Sequence, residues 1–387
     1  MQEHLRATYT INSTKIEEAA SALVIGQSIG NPYLRSKYET PEMLKQYSAH
    51  VVNITEVSDT TYQVETIFPL DIFTPGSFTH LLTVLMGGQM DIDIIQGCQL
   101  INLELPEKLA KSFPGPKLGI QGIRNKISVH NRPLIGGIVK PKTGMSLNVL
   151  CQMVEAMVAG GIDFIKEDEI LGEIEGAHLL QRIEAVNKIL EGSQVIYAPA
   201  VNLPIAKYPE VAFALNSSNH IYGYHLNVWA GLDAFSYLSS LANKVSFYQK
   251  SGDGVITKGI YSITFDVWCL LARLAGADII HVGMIGGYLD ECKEVLSKRL
   301  YALQNPYFSH KATIPSFSCG ATPAHVPILQ EAFGIDIMVS AGGSIHSHKE
   351  GTTAGVQEFR RMAELCASSE LTRAKTPSIV ADNALCE

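Results

Sequence analysis

Cysteine is scarce in this sequence and follows no pattern. The 387 residues include seven cysteines, an odd number, and no two of them form a CxxC pair. A disulfide framework or a structural zinc site needs paired or closely spaced cysteines. The sequence therefore argues against both kinds of site and predicts a protein of a reducing compartment.

The sequence also lacks the features of membrane proteins and nucleic-acid-binding proteins. It has no run of 18 apolar residues, and its amino terminus has no charged start followed by an apolar core. We therefore expect neither a membrane span nor an export signal and predict a cytoplasmic protein. No run of lysine or arginine exceeds a pair and the formal net charge is −8, which disfavours a nucleic-acid surface and favours a small-molecule substrate.

The first hundred or so residues differ in pattern from the rest. Alternating polar and apolar residues predict antiparallel strands, and two segments with helical spacing would cover one face of their sheet. The predicted strands are 7–11, 51–57 and 62–68, and the predicted helices are 15–25 and 78–86. This pattern is typical of a small α+β domain with a ferredoxin-like arrangement.

A turn rich in proline and glycine, at residues 113–117, marks the predicted domain boundary. The chain is also longer than a single hydrophobic core usually fills. We therefore predict an α+β domain over residues 1–115 and a catalytic domain over residues 116–387.

Eight short apolar segments, each ending in polar or glycine residues, follow in the second domain. They are Leu134–Val139, Phe164–Ile165, Val195–Ala198, Gly223–Leu226, Val245–Tyr248, Ile279–Val282, Thr313–Phe317 and Ile335–Val339. Helical patterns separate most of them, so the strands should form a parallel sheet. Eight such repeats suit a closed (β/α)₈ TIM barrel better than an open sheet, and barrel active sites lie at the carboxyl ends of the strands.

The second strand end offers one lysine and two acids, Lys166, Asp168 and Glu169. Magnesium prefers hard oxygen ligands, so the two carboxylates suit it, whereas a charged lysine would repel it. A neutral Lys166 amine could instead capture carbon dioxide as a carbamate and supply a third oxygen anion. The alternative is a Lys–Glu ion pair at the start of the next helix, where acidic residues also suit the helix dipole.

The first strand end carries Lys140, Pro141 and Lys142. Proline restrains its own backbone and that of the preceding residue, so the lysines should leave the strand in a defined geometry. A lysine desolvated in a barrel mouth loses proton affinity and becomes a usable base. The alternative is a solvated basic turn.

The later strand ends offer a histidine and two glycine-containing turns. His281 is either a core histidine or a site residue. Ser318 and Gly320 follow the seventh strand, and Gly342 and Gly343 follow the eighth. Backbone amides at these two positions usually form the phosphate cradle of a barrel, although a tight turn would also explain the glycines.

Taken in order, these strand ends resemble the large subunit of ribulose bisphosphate carboxylase and its non-carboxylating relatives, the RuBisCO-like proteins. The resemblance extends over nearly the whole chain. It is most specific in the segments 137–146, 160–169, 280–283 and 340–344.

The resemblance implies a role for each charged residue. Lys166 would be the carbamylated lysine, and Asp168 and Glu169 would complete the ligands of Mg²⁺. Lys140 would remove a substrate proton, and Lys142 would lie beside the metal-bound oxygens.

The resemblance also implies a phosphate site and an assembly. His281 and Ser318 would contact one phosphate, and the amides of Gly320, Gly342 and Gly343 another. The protein would form a homodimer or a multiple of dimers, in which the small domain of one subunit covers the barrel mouth of its partner.

The chain departs from the carboxylase at two strand ends. Tyr288 stands where the carboxylase has the lysine that neutralises the new carboxylate, and without that charge carboxylation loses its main electrostatic aid. Gln249 and Lys250 replace a histidine and an arginine, so Lys250 would bind phosphate as a point charge without the fork of a guanidinium.

The resemblance and these departures lead to one expected function. It is an Mg²⁺-dependent enolisation of a phosphorylated keto sugar or diketone phosphate, by an enolase or isomerase of the methionine-salvage type. Three alternatives stay open: a decarboxylase or transcarboxylase of a phosphorylated 3-oxo sugar acid, a true ribulose bisphosphate carboxylase, and a non-catalytic binding protein.

Overall fold

The structure is a computed structural model, which describes residues 3–173 and 175–368. Residues 369–387, the end of the predicted catalytic domain, and Cys386 lie outside the described residues.

The strands are β1 (His4–Asn12), β2 (His50–Ser58), β3 (Thr61–Pro69), β4 (Gly97–Glu104), β5 (Leu134–Ile138), β6 (Phe164–Lys166), β7 (Ile196–Ala198), β8 (Gly223–Asn227), β9 (Val245–Gln249), β10 (Tyr261–Ile263), β11 (Ile279–Gly283), β12 (Ile314–Phe317) and β13 (Met338–Ala341).

Helices lie between most of these strands. They are α1 (Ile16–Gly26), α2 (Pro41–Tyr47), α3 (Phe78–Leu85), α4 (Glu107–Ala110), α5 (Gly119–Ile127), α6 (Leu147–Ala159), α7 (Leu179–Ile189), α8 (Tyr208–Ser217), α9 (Leu232–Leu241), α10 (Gly254–Thr257), α11 (Phe265–Leu274), α12 (Lys293–Gln304), α13 (His325–Phe333), α14 (Gly343–His346) and α15 (Thr352–Ser368). Each helix within the described ranges is too short or too polar to cross a lipid bilayer.

The chain divides into two compact units. Among the described residues, the first contains 3–114 together with Gly252–Leu274 and Tyr307–His310, and the second contains 115–173, 175–251, Ala275–Pro306 and 311–368. The sequence-based division at 115/116 instead assigns both of those later segments to the second domain.

The first unit is an α+β structure built on one sheet. The sheet order is β10-β4-β1-β3-β2, with β1 antiparallel to both β3 and β4. The elements β1-α1-β2-β3-α3-β4 therefore follow the ferredoxin-like pattern, with α2 inserted and β10 added at the edge. Alternate residues of β1 are buried, because successive side chains of a strand point to opposite faces.

The second unit is a parallel eight-stranded barrel. The strand order is β7-β6-β5-β13-β12-β11-β9-β8. A bridge between Ala200 and His225 joins the two end strands, and Val201 N donates to His225 O at 2.9 Å. All eight predicted barrel strands are confirmed, with their ends shifted by a few residues at most sites, and so is the predicted fold class.

The barrel interior is filled by apolar side chains from seven of its eight strands and is closed below by α5. Ile120, Ile123 and Ile127, spaced by three and four residues, form one apolar stripe of this helix. The stripe packs against Leu134, Phe164, Ile196, Ala198, Val245, Phe247, Ile279, Ile314 and Met338. Because this core holds the lower part of the strands, their carboxyl ends are left for polar residues.

A buried ion pair ties the starts of β5 and β6 together. Arg132 donates from both terminal nitrogens to Asp163, at 2.6 and 2.8 Å, and Ile135 N donates to the same carboxylate at 2.8 Å. Both side chains are almost fully buried. Each charge is therefore satisfied only as long as its partner is present.

We predict that Asp163→Ala lowers the free energy of unfolding by about 3–5 kcal/mol, because it leaves the Arg132 guanidinium buried and unpaired. Urea denaturation measures the change. Glu184→Ala, which breaks the exposed ion pair with Lys188, is the matched control and should leave the midpoint unchanged. An Asp163→Ala midpoint equal to that of the control would contradict the assigned role of the buried pair.

Candidate active site

The charged residues at the end of β6 alternate between two environments. Glu167 is fully buried and accepts from Arg182 Nε at 2.9 Å, Tyr197 Oη at 2.6 Å and Ala200 N at 2.8 Å. Its neighbours Lys166 and Asp168 contact a different set of partners, as expected for successive residues of an extended segment. Glu167 is therefore a structural residue.

Lys166 is buried and is held by two oxygens. Its Nζ donates to Glu167 O and to Glu169 Oε2, both at 3.1 Å. Burial lowers the pKa of the Lys166 ammonium, although the nearby Glu169 carboxylate opposes the shift. The Lys–Glu ion pair anticipated as an alternative from the sequence is thus present, and it contains an amine that gives up its proton more readily than an ordinary lysine.

Glu169 is fixed from its other side by a hydroxyl. Ser251 Oγ donates to Glu169 Oε1, and Gln249 Nε2 in turn donates to Ser251 Oγ at 2.7 Å. Burial raises the pKa of the Glu169 carboxyl, but Lys166 and the Ser251 hydroxyl outweigh this effect, so the pKa ends below its usual range. The site therefore contains an ionised carboxylate of fixed orientation.

Lys140 forms a second ion pair next to the first. Its Nζ contacts Asp168 Oδ2, while Ile170 N donates to Asp168 Oδ1 at 3.1 Å. Asp168 is buried, whereas the Lys140 side chain is 30% exposed, so the amine is held by a rigid partner and is still reachable from solvent. A Cβ atom on Gly342 would lie 3.1 Å from two carbons of Lys140, which explains a glycine at that position.

His281 and Ser318 form a neutral pair at the ends of β11 and β12. Ser318 Oγ hydrogen-bonds to His281 Nε2, and Cys319 Sγ lies 3.7 Å from the same nitrogen. Burial, followed by the charge of Lys250, lowers the pKa of His281 to about 3. The other ring nitrogen, Nδ1, is buried and has no hydrogen-bond partner in the described part of the chain, so it is available to a bound molecule.

The turn after β12 has an unusual backbone conformation. Cys319 has a φ of 88°, which a side chain other than glycine rarely adopts, and Gly320 has a φ of 96°. Tyr288 N donates to Cys319 O at 3.1 Å, and a Cβ atom on Gly320 would lie only 3.0 Å from Tyr288 N. The loop that carries Tyr288 therefore rests on this turn, with the tyrosine itself 85% exposed.

The structure brings most of the predicted site residues into three pairs. They are Lys140 with Asp168, Lys166 with Glu169, and His281 with Ser318. Lys250 is buried and close enough to His281 to lower its pKa. A Cβ atom on Gly343 would meet no atom within 4 Å, so this backbone faces open space.

Lys142 lies apart from these pairs. It is exposed, and within the described residues no hydrogen bond or ion pair joins it to the other predicted residues. Two further residues belong to the site and were missed from the sequence. Ser251 holds Glu169, and His225 is a buried inward-facing residue of β8. Only their positions at or near strand ends could have indicated them.

The two carboxylates do not form a complete metal site by themselves. Over residues 3–173 and 175–368, no three His, Cys, Asp or Glu side chains are grouped so that they could hold an ion. Asp168 and Glu169 nevertheless lie on either side of the buried amine of Lys166. A carbamate on that amine would therefore supply a third oxygen ligand. The residues therefore fit Mg²⁺ only together with a modified Lys166.

The pKa of His281 leads to a prediction about stability and pH. In the unfolded chain the imidazole has its ordinary pKa near 6.5, so between pH 6.5 and 3 the unfolded state binds more protons than the native state. Stability is therefore lost as the pH falls, by about 2 kcal/mol between pH 6.5 and 5. His281→Asn should remove this loss in urea denaturation across that range.

The control for this experiment is His130→Asn, which replaces an exposed histidine and should leave the pH dependence as in the wild type. If His281→Asn and the wild type lose stability equally on acidification, the buried neutral state assigned to His281 is wrong.

Two family models match this chain, one in its amino-terminal part and one in the rest. Residues 2–109 match the model described as the N-terminal domain of the ribulose bisphosphate carboxylase large chain, and residues 119–378 match its catalytic domain.

Several named proteins are similar to this chain over most of their own length. A 2,3-diketo-5-methylthiopentyl-1-phosphate enolase of Bacillus cereus (strain Q1) is 28% identical, over 92% of this chain and 90% of the relative. A ribulose bisphosphate carboxylase of Methanosarcina mazei is 26% identical, over 93% of this chain and 89% of the relative. The crystal structure of a rubisco-like protein (MtnW) from Alicyclobacillus acidocaldarius superposes with a TM-score of 0.85 at 26% identity, over 95% of this chain and 94% of that one.

Proposed function

The chain belongs to the ribulose bisphosphate carboxylase large-chain family, and from this membership and the barrel mouth we propose that it enolises a phosphorylated diketone in the manner of a methionine-salvage enolase. The observation that carries the proposal is the adjacency of two ion pairs, Lys140 with Asp168 and Lys166 with Glu169. One supplies a reachable base, and the other supplies a buried amine with a lowered pKa.

The proposal includes Mg²⁺ held by Asp168, Glu169 and a carbamate on Lys166. The lowered pKa of Lys166 supports the carbamate, because only a neutral amine reacts with carbon dioxide. When bound, the ion withdraws electron density from a carbonyl group and so acidifies the neighbouring C–H bond.

Lys140 is the proposed base. Asp168 fixes its Nζ, and Gly342 packs against its carbon chain, so the amine has a defined direction. General-base catalysis needs this fixed geometry as well as a suitable pKa. Lys140 takes the proton from carbon, and return of a proton to oxygen completes an enolase reaction, whereas return to another carbon would complete an isomerase reaction. The enolase is proposed because a relative with that name matches over nearly its full length.

The phosphate of the substrate is assigned to the ends of β11, β12 and β13. The unpartnered, buried Nδ1 of His281 supports this assignment, because a buried polar atom without a partner usually marks an absent ligand or water. Lys250 contributes positive charge near the same ring. The remaining donors would be Ser318 Oγ and the amides of Gly320, Gly342 and Gly343.

Carboxylation of ribulose bisphosphate is disfavoured by Tyr288. A new carboxylate needs a positive charge beside it, and this position carries an exposed phenol on the loop that rests against Cys319. We therefore expect no phosphoglycerate from ribulose bisphosphate and carbon dioxide. Carbon dioxide release from a phosphorylated 3-oxo acid, with no exchange on the diketone phosphate, would instead indicate the decarboxylase or transcarboxylase.

We further propose a homodimer or a multiple of dimers, as the family resemblance implies. Mass photometry at nanomolar concentration should give twice the mass of one chain or a multiple of it. A single species at the mass of one chain would contradict this part of the proposal.

We predict that the protein exchanges deuterium from solvent into 2,3-diketo-5-methylthiopentyl-1-phosphate when Mg²⁺ and bicarbonate are present. Lys140→Met should slow this exchange by about 10²–10⁴-fold, the usual contribution of a positioned base. Lys166→Met should abolish it, because no carbamate can form. Proton NMR of the substrate in D₂O measures the rate.

Lys188→Met is the matched control, since Lys188 is exposed and pairs only with Glu184 at 2.9 Å among its described contacts. It should exchange at the wild-type rate. Exchange that is independent of Mg²⁺, or that survives Lys140→Met at the control rate, would overturn the proposed function.

A further inference from the structure

His225 is a buried histidine whose polar atoms are not satisfied. It lies on β8 and is 1% exposed, and among the described residues neither of its ring nitrogens has a hydrogen-bond partner. Such a group costs free energy unless a partner is supplied. Two unpartnered nitrogens on one buried ring therefore point to a group that binds there.

The ring shares its surroundings with the amine of Lys166. Lys166 Nζ lies 5.8 Å from the centroid of the Phe247 ring, and the His225 ring centroid lies 6.3 Å from the same point. The backbone carbonyl of Glu167 accepts from Lys166 Nζ at 3.1 Å, and it also lies near the His225 ring, although beyond hydrogen-bond distance. The imidazole and the amine therefore share two neighbours, the Phe247 ring and the Glu167 carbonyl.

No large side chain separates these two groups on the intervening strand. β7 lies between β6 and β8, and its partner of Lys166 in the register is Ala198. The next inward residue on that side, Ala200, bridges directly to His225. Both positions carry only a methyl group, so on this strand no large side chain stands between Lys166 and His225 among the described residues.

The imidazole ring of His225 carries a hydrogen-bond donor. A neutral imidazole has one N–H donor and one acceptor nitrogen, and a protonated imidazole has two donors. In either state the ring is therefore able to donate to an anion formed at the Lys166 amine.

We propose that His225 is a positioning residue for the carbamate of Lys166, to which its ring N–H donates a hydrogen bond. This inference rests on the proposed function, because it requires the carbamate. In the underlying reaction the neutral amine attacks carbon dioxide and forms a C–N bond, while the π bond of one C=O group breaks and its electron pair moves to oxygen. One proton then leaves the nitrogen for solvent. The hydrogen bond from His225 stabilises the resulting anion and sets the plane in which its oxygens lie.

The test measures carbamate directly, by ¹³C NMR of the protein with Mg²⁺ and increasing ¹³C-bicarbonate. His225→Phe removes the donor and keeps a ring of similar size. We expect the bicarbonate concentration for half-maximal carbamate to rise about tenfold or more, as for the loss of one hydrogen bond to a charged group. His225→Gln, which has an amide donor, should recover part of this loss.

Tyr224→Phe is the matched control. Tyr224 is the preceding residue of β8, faces the opposite side of the strand and is also fully buried. It should form carbamate as the wild type does. Thermal unfolding checks that each variant is folded, and if His225→Phe is not, His225→Leu takes its place.

The outcomes separate this inference from the function on which it rests. A wild-type carbamate signal that His225→Phe reproduces at every bicarbonate concentration overturns the role of His225 alone. A wild type without any carbamate signal overturns the proposed carbamate and, with it, this inference. A tenfold or larger shift that His225→Gln partly reverses supports both.

Discussion

The burial of the Lys166 amine against Glu169 is the interaction on which the rest of the barrel mouth depends. An ammonium taken out of water costs several kcal/mol unless it is paired, and burial accordingly lowers the pKa of Lys166. Glu169 offsets part of this cost and is itself fixed by Ser251. The pair therefore holds in the site an amine whose pKa burial has lowered.

The fold supports this interaction by separating structural charges from functional ones. The Glu167 side chain points away from Lys166 and Asp168, and its carboxylate accepts hydrogen bonds from Arg182, Tyr197 and Ala200. This anchoring holds the backbone on either side, so Lys166 and Asp168 keep their directions. Below them, the apolar stripe of α5 fills the barrel. Polar chemistry is thus confined to the strand ends, where the family places its active sites.

The barrel was predictable because its signals are local. Each strand is a short apolar run that ends in glycine or polar residues, and the charges of the site lie next to those ends in the sequence. The strands β4 and β10 were missed. β10 has only three residues and forms by pairing with β4, which is distant in the sequence. Ser251 and His225 were also missed, because their importance comes from neighbours on other strands. The spacing of apolar residues along the sequence does not show which side chains on different strands will be in contact.

A crystal structure of the protein grown with Mg²⁺ and bicarbonate tests the central claim most directly. We predict electron density for a planar group bonded to Lys166 Nζ, and an ion bound by that group, Asp168 and Glu169. Density that ends at a bare Nζ, still paired with Glu169 and with no ion beside it, would contradict the account.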